Sequence, residues 1–282
     1  MAADAERIVV ETDIRASSGW AALRLGELWQ YRELLFFLTW RSILVRYKQA
    51  VMGIAWAVLQ PVLTMIVFTF VFGRFMGASS QSYGVPYAVF LYSGLLPWQL
   101  FASGVQSASL SLVANANLLT KVYFPRLIIP FAAILAGLVD FAIAFVVLIV
   151  LMAVYRIAPT WDVLWLIPLT ALAVLTTVAI SLWLSAFNVI YRDVQYIVPF
   201  MVQLWMFLTP LFYALNQVPA GFWRVVFALN PMAGVIQGYR WALLGGTPPS
   251  AVVLISVAET VVLFVSGLFY FKRIERVFAD VV

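Results

Sequence analysis

Long apolar runs broken by short polar clusters set the pattern of this chain. No Asp, Glu, Lys or Arg occurs between Lys48 and Arg74, between Arg74 and Lys121, between Asp162 and Arg192, or between Asp193 and Arg224. About 20 apolar residues suffice to cross a bilayer as a helix. The pattern therefore predicts an all-α polytopic membrane protein with six transmembrane helices, at about Ala50–Gly73, Tyr87–Ala108, Leu127–Tyr155, Val163–Phe187, Val194–Tyr213 and Ala251–Phe271. Gln60-Pro61 predicts a kink in the first span, and Gly94 and Pro97 interrupt the second. Between spans five and six, Phe222–Leu229 and Met232–Leu244 are apolar but too short to cross, and Pro and Gly bound them. They read as two re-entrant helices, within about 217–247, that dip into the outer leaflet under a protein cover.

Ahead of the first span, Trp20–Gln30 and Tyr31–Gln49 mix Trp29, Phe36, Phe37 and Trp40 with Arg24, Arg32, Arg41, Arg46 and Lys48. Aromatics among cations at this density predict either an N-terminal amphipathic helix in the cytosolic interface or a plain juxtamembrane anchor. The expected division is a cytosolic tail with interfacial helices, 1–49, and a six-helix transmembrane domain, 50–282. Six spans put both termini on one side. All of the 17 Lys and Arg except Arg74, Arg156, Arg224 and Arg240 then fall on that side, which the positive-inside rule makes the cytosol. The opening residues lack the apolar core of a secretory signal, so the N-terminus is expected to stay inside.

Composition narrows the function. The chain is 65% hydrophobic and 10% charged, with a mean hydropathy of +1.01, so the bilayer is its solvent. Its net charge of +5 sits at the ends of apolar runs. That placement suits topology and membrane lipids, not a groove for nucleic acid. With no Cys and no His, thiol nucleophiles and imidazole metal ligands or proton relays are excluded. The absence of a Gly-x-x-x-x-Gly-Lys-Ser/Thr loop implies that ATP is not hydrolysed by this chain. No acidic or metal-ligating cluster marks a membrane-embedded glycosyltransferase, and no internal repeat marks a secondary transporter.

Several residues stand out, each with an ordinary structural alternative. Trp56, Gln60, Thr64 and Phe68 recur every four residues and share one helical face. With Gln203 and Phe207 on the fifth span and Tyr92, Trp98 and Phe101 on the second, they are candidates to line a substrate path or to pack helices. Arg41, Arg46 and Lys48 are cations at the membrane surface whose ordinary role is topology and headgroup attraction. Asn115, Asn117, Leu118 and Leu119 form an amphipathic patch, with Lys121 beside it, that a partner domain can grip. Tyr191, Arg192 and Asp193 make a charged turn whose aspartate can also cap the fifth helix. Asp140 and Glu259 are lone carboxylates within spans, open to a proton-relay reading or to one as hydrogen-bonded packing or cavity-facing groups.

Four segments in order carry a resemblance: LVRYKQAVMGIAWAVLQP from Leu44, NANLLTKVYFPRLIIP from Asn115, NVIYRDVQYIVPFMVQLWMFLTPLFY from Asn188 and NPMAGVIQGYRWALLG from Asn230. Together they resemble the permease subunit of type-2 ABC exporters, in the branch that exports O-antigen, teichoic acid and related polysaccharides on polyprenyl pyrophosphate. The resemblance implies a homodimer in the bacterial inner membrane, with two copies of a separate cytosolic ATPase that carry the ATP and Mg. No cofactor is implied in this chain. The loop Asn115–Arg126, the interfacial helix and Tyr191-Arg192-Asp193 would face the ATPase, the first, second and fifth spans would line a channel at the dimer axis, and Arg41, Arg46 and Lys48 would either grip the lipid pyrophosphate or keep their topological role. A type-2 permease for a drug or small lipid is the alternative.

Overall fold

The computed structural model describes residues 29–48, 53–75, 84–215, 218, 221–246, 248–275 and 278. Expectations for residues 1–28 and for the outer polar stretch up to 83 lie outside the described residues. All regular structure among the described residues is helical. Helix α1 is Arg32–Lys48, and α2 is Ala55–Phe68, continued by a π-helical turn Thr69–Phe75. Then come α3 (Tyr87–Ala114), α4 (Ala116–Lys121), α5 (Ile128–Val154) and α6 (Leu166–Ile190), the last led in by a 3-10 turn Trp161–Trp165. Helices α7 (Val194–Leu208), α8 (Phe222–Ala228), α9 (Pro231–Leu244) and α10 (Ser250–Ile274) complete the chain.

Among the described residues, five segments are long and apolar enough to cross a membrane: Ala55–Arg74, Tyr87–Ala114, Ile128–Val154, Trp161–Ile190 and Ala251–Ile274. The predicted fifth span departs from this. Its helix α7 has 15 residues, about 22 Å at 1.5 Å per residue, against a hydrocarbon thickness of roughly 30 Å. The cause is local: a proline disfavours helical backbone in the residue before it, and Thr209, ahead of Pro210, is extended at ψ 139°. The second span departs the other way, since Ser109 and Ser111 remain helical. Their hydroxyls bond back to the carbonyls of Gln106 and Ala108 at 2.9 and 2.7 Å, so neither needs water.

Helix α3 is the most enclosed span, packed by α5, α6 and α9 and flanked by α2 and α7. Helix α10 lies on α6 and α9, and α1 packs along α5. One hydrophobic cluster, around Tyr92, Phe101 and Tyr239, fills the middle of the bundle. A second joins Leu38 of α1, Leu119 of α4, Phe124, Ile128 and Phe271 at one end. At that same end Asn188 donates to the Ser109 carbonyl at 2.9 Å, and Arg126 bonds to the backbone and side chain of Glu275. The end of α3, the start of α5 and the ends of α6 and α10 are thus tied together.

Helices form at both of the short apolar stretches, Phe222–Ala228 and Pro231–Leu244. Helix α9 is almost wholly buried, and its Gly234 amide donates to Ser256 Oγ of α10 at 3.0 Å. A Cβ on Gly234 would lie 2.5 Å from that oxygen and 2.8 Å from the Val252 carbonyl. Gly234→Val is therefore expected to force α9 off α10 and destabilise the fold by about 1–3 kcal/mol. Thermal unfolding of the purified protein in detergent checks this; an unshifted midpoint would refute the packing argument.

Candidate functional site

Three helices turn one face each toward a common cavity of about 260 Å³. Helix α2 contributes Trp56, Ala57, Gln60 and Pro61, and α3 contributes Leu96, Gln99, Leu100 and Ser103. Helix α5 contributes Gly137, Asp140, Phe141 and Ala144. The α3 and α5 sets follow the spacing i, i+3, i+4, i+7 and the α2 set i, i+1, i+4, i+5, so each lies on one helical face. Arg46 and Tyr47, in the last turn of α1, close the remaining side.

Asp140, near the middle of α5, accepts hydrogen bonds from Arg46 Nη1 and from the Tyr47 hydroxyl, one on each carboxylate oxygen. This intramembrane carboxylate therefore has a cation and a phenol as partners. These lie more than ninety positions away, which is why spacing did not show them. Burial, and then the bond to Asp140, raises the Tyr47 phenol above its ordinary value, so Tyr47 remains a donor at neutral pH. Of the three cations read as a pyrophosphate grip, Arg46 is held by Asp140 while Arg41 and Lys48 are exposed. Glu259 borders a different, shallower cavity beside Leu229 and Pro231, apart from Asp140.

The predicted path residues separate into two groups. Tyr92, Trp98 and Phe101 are at most 2% exposed. Tyr92 donates to the Ala144 carbonyl at 3.0 Å, Trp98 leans on Phe101 at 5.3 Å, and Phe101 meets Trp205 edge-on at 5.4 Å. Within this chain these three are packing residues and reach no surface. Trp56, Gln60, Gln203 and Phe207 are exposed on α2 and α7, to either side of α3. Phe68 and Phe207 join an aromatic cluster with Phe72 and Phe212, which stack at 4.5 Å. Phe72 and Phe212 carry no sequence signal beyond being aromatic, and folding alone brings them together.

At the end where α3 stops and α7 starts, Asn115 bonds its amide back to the Ser111 carbonyl at 2.8 Å and turns the chain into α4. Asn117 and Lys121 are exposed and Leu118 is half-buried against the neighbouring cluster. Tyr191, Arg192 and Asp193 are all exposed. Asp193 holds the N-cap position of α7 but makes no side-chain cap hydrogen bond. The Asn188–Ser109 bond puts this turn on the same face as α4.

One residue counted in the sequence only for topology proves structural. Arg240 of α9 is fully buried, donates to the carbonyls of Pro210 and Tyr213 at 2.7 and 3.2 Å and to that of Leu211, and stacks 3.8 Å over Phe90. These carbonyls follow the break in α7, so Arg240 satisfies backbone that the lost helix leaves open. Gly94 makes the room, since a Cβ there would lie 3.0 Å from Arg240 Nη2. A single arginine in a 14-residue helix without other charge was the available signal.

Comparison with known proteins agrees with this architecture. The profile of the ABC-2 type transporter family matches residues 33–244. An O-antigen export system permease protein RfbA of Myxococcus xanthus is 34% identical over 254 residues, 88% of this chain and 96% of the relative. An RfbA of Klebsiella pneumoniae is 32% identical over 251 residues, 88% and 95% respectively. The polysialic acid transport protein KpsM of Escherichia coli is 25% identical over 242 residues, 83% and 91%.

The Arg46–Asp140 pair yields a measurable expectation. Its side chains are 36% and 27% exposed, so solvent screens part of the attraction, and a coupling of about 1 kcal/mol is expected. Thermal midpoints of Arg46→Gln, Asp140→Asn and the double variant measure it. Additive losses would show that the pair does not hold α1 to α5.

Proposed function

The chain belongs to the ABC-2 type transporter family, and from this premise we propose that it is the membrane-spanning permease subunit of an ATP-driven polysaccharide exporter. The substrate is an O-antigen-like polymer carried on polyprenyl pyrophosphate, and the membrane is the bacterial inner membrane. The observation that carries this reading is the exposure of Gln60 and Gln203 on two apolar helices beside α3. An amide facing lipid tails is costly. These faces therefore call for a second copy of the chain or a watery path, and a homodimer that encloses a channel between α2 and α7 supplies both.

The channel wall is then Trp56, Gln60, Phe68, Gln203 and Phe207. Aromatic faces and amides hold sugars by weak, interchangeable contacts, which lets a polymer slide. The sixth crossing is completed by α7 with the irregular segment beyond it, and α8 and α9 form the re-entrant cover on the outer side. With the Asn115 end in the cytosol, two ATPase subunits dock on α4, α1 and the Tyr191-Arg192-Asp193 turn, bringing the ATP and Mg. Arg41 and Lys48 remain free to meet the lipid pyrophosphate at that face.

In the bacterium that makes the polymer, removing this chain is expected to abolish surface polysaccharide and accumulate the lipid-linked form inside, as read by surface labelling and lipid extraction. Surface polymer at the normal level would sink the reading. Charge reversal to Arg192→Asp with Asp193→Arg should lower export about tenfold while the purified complex still hydrolyses ATP, since both residues are exposed and Asp193 makes no side-chain cap bond. Export and hydrolysis that both stay normal would remove the turn from the coupling path.

A further inference from the structure

The cavity between α2, α3 and α5 holds more polar chemistry than packing requires. The side chains of Gln60, Gln99 and Ser103 face it and make no hydrogen bond among the described residues. Each Asp140 oxygen accepts one bond and keeps a further lone pair. Trp56, 54% exposed, adds an aromatic face. The volume of about 260 Å³ equals about nine waters at roughly 30 Å³ each, room for one pyranose ring with its hydroxyls.

Charge decides the ligand class. Arg46 and Asp140 neutralise each other, so the site offers no net positive field, and the carboxylate would repel a phosphate. Two amides, a hydroxyl, a shared carboxylate and an indole face instead suit a neutral polyol, whose hydroxyls both donate and accept and whose C–H face lies on an aromatic ring. We propose that this cavity binds one neutral sugar ring of the substrate, at a subsite lateral to the path between α2 and α7. The proposal rests on the exporter reading and specifies which part of the substrate is held and where. The subsite is also bordered by α1, so a sugar here engages the Arg46–Tyr47–Asp140 cluster that ties α1 to α5.

The chain has no cysteine, so Ala57→Cys places a single thiol on the apolar part of the cavity wall. Its labelling by N-ethylmaleimide is followed in cells whose partner ATPase is inactive, with polymer synthesis on or blocked. Occupancy of nine-tenths slows labelling about tenfold with synthesis on; equal rates would leave the cavity holding water alone and overturn the proposal. Gly137→Leu fills the cavity from α5, where a Cβ meets only Ser103 Oγ at 3.9 Å. It should erase the protection and lower export about tenfold. Gln99→Leu, nearly isosteric, should do the same at normal membrane levels if Gly137→Leu does not accumulate. Protection that survives both variants would overturn the subsite. Protection by the polymer's free monosaccharides in blocked cells would support the sugar site and assign it to free sugar. Normal surface polysaccharide without this chain would refute the exporter reading, whereas chain-dependent export with unprotected Ala57→Cys refutes the subsite alone.

Discussion

Away from water, every backbone carbonyl and every charge must find its partner inside the protein. In this chain that constraint is met at one point by Arg240. Pro210 ends α7 early and leaves the carbonyls of Pro210, Leu211 and Tyr213 without helical donors; the buried guanidinium supplies them. Nearby, Asn230 donates to Thr209 Oγ1 at 2.7 Å and accepts from the Met232 amide at 3.0 Å, so one side chain caps α9 and holds the broken end of α7. The irregular segment and the buried helix α9 thus depend on each other. Without the break Arg240 would be an uncompensated buried charge, and without Arg240 the break would be a row of unmet acceptors.

The same constraint operates on the other side of α3. Asp140 lies mid-span and is tolerated because α1 brings Arg46 and Tyr47 to it. Helix α1 is held twice: by Leu38 in the apolar cluster at the bundle end and by the charged cluster at its last turn. Its outer face keeps Phe36, Phe37 and Trp40 exposed, the arrangement of a helix that rests on protein on one side and meets lipid or a partner on the other.

How far the sequence revealed this follows from the range of each effect. Long apolar runs report burial in lipid directly, so Ile128–Val154, Asp140 notwithstanding, lies within one residue of its predicted bounds at each end. Local polar compensation misleads: Ser109 and Ser111 looked like a loop yet stay helical because each bonds within its own turn. A proline signal was present but undervalued, since Pro210 ends α7 at Leu208 and the predicted span ran through it. Pairings across the fold were not legible at all. Asp140 with Arg46, Arg240 with the end of α7, and Phe72 with Phe212 join residues that only tertiary packing brings together. For the aromatics, the sequence listed candidates for one role and packing divided them, Tyr92, Trp98 and Phe101 to the core and Trp56 and Phe207 to exposed faces.

Helix α7 draws these strands together. Only Val198 and Val202 of its 15 residues are buried, so its position owes little to its own core contacts. Its start follows the exposed turn after Asn188, which is tied to α3, and its end is clamped to α9 through Thr209 and Arg240. A helix held at both ends and loosely along its length moves as a rigid rod about those ends, because its internal hydrogen bonds are far stiffer than its lateral packing. Under the proposed function, a displacement of the turn at residues 191–193 would shift the exposed face of Gln203 and Phe207 and load the Arg240 clamp. The charged turn, the exposed face of Gln203 and Phe207 and the buried helix α9 are thus joined through one helix, and the proline that shortens α7 allows its far end to be held by a side chain in place of another helical turn.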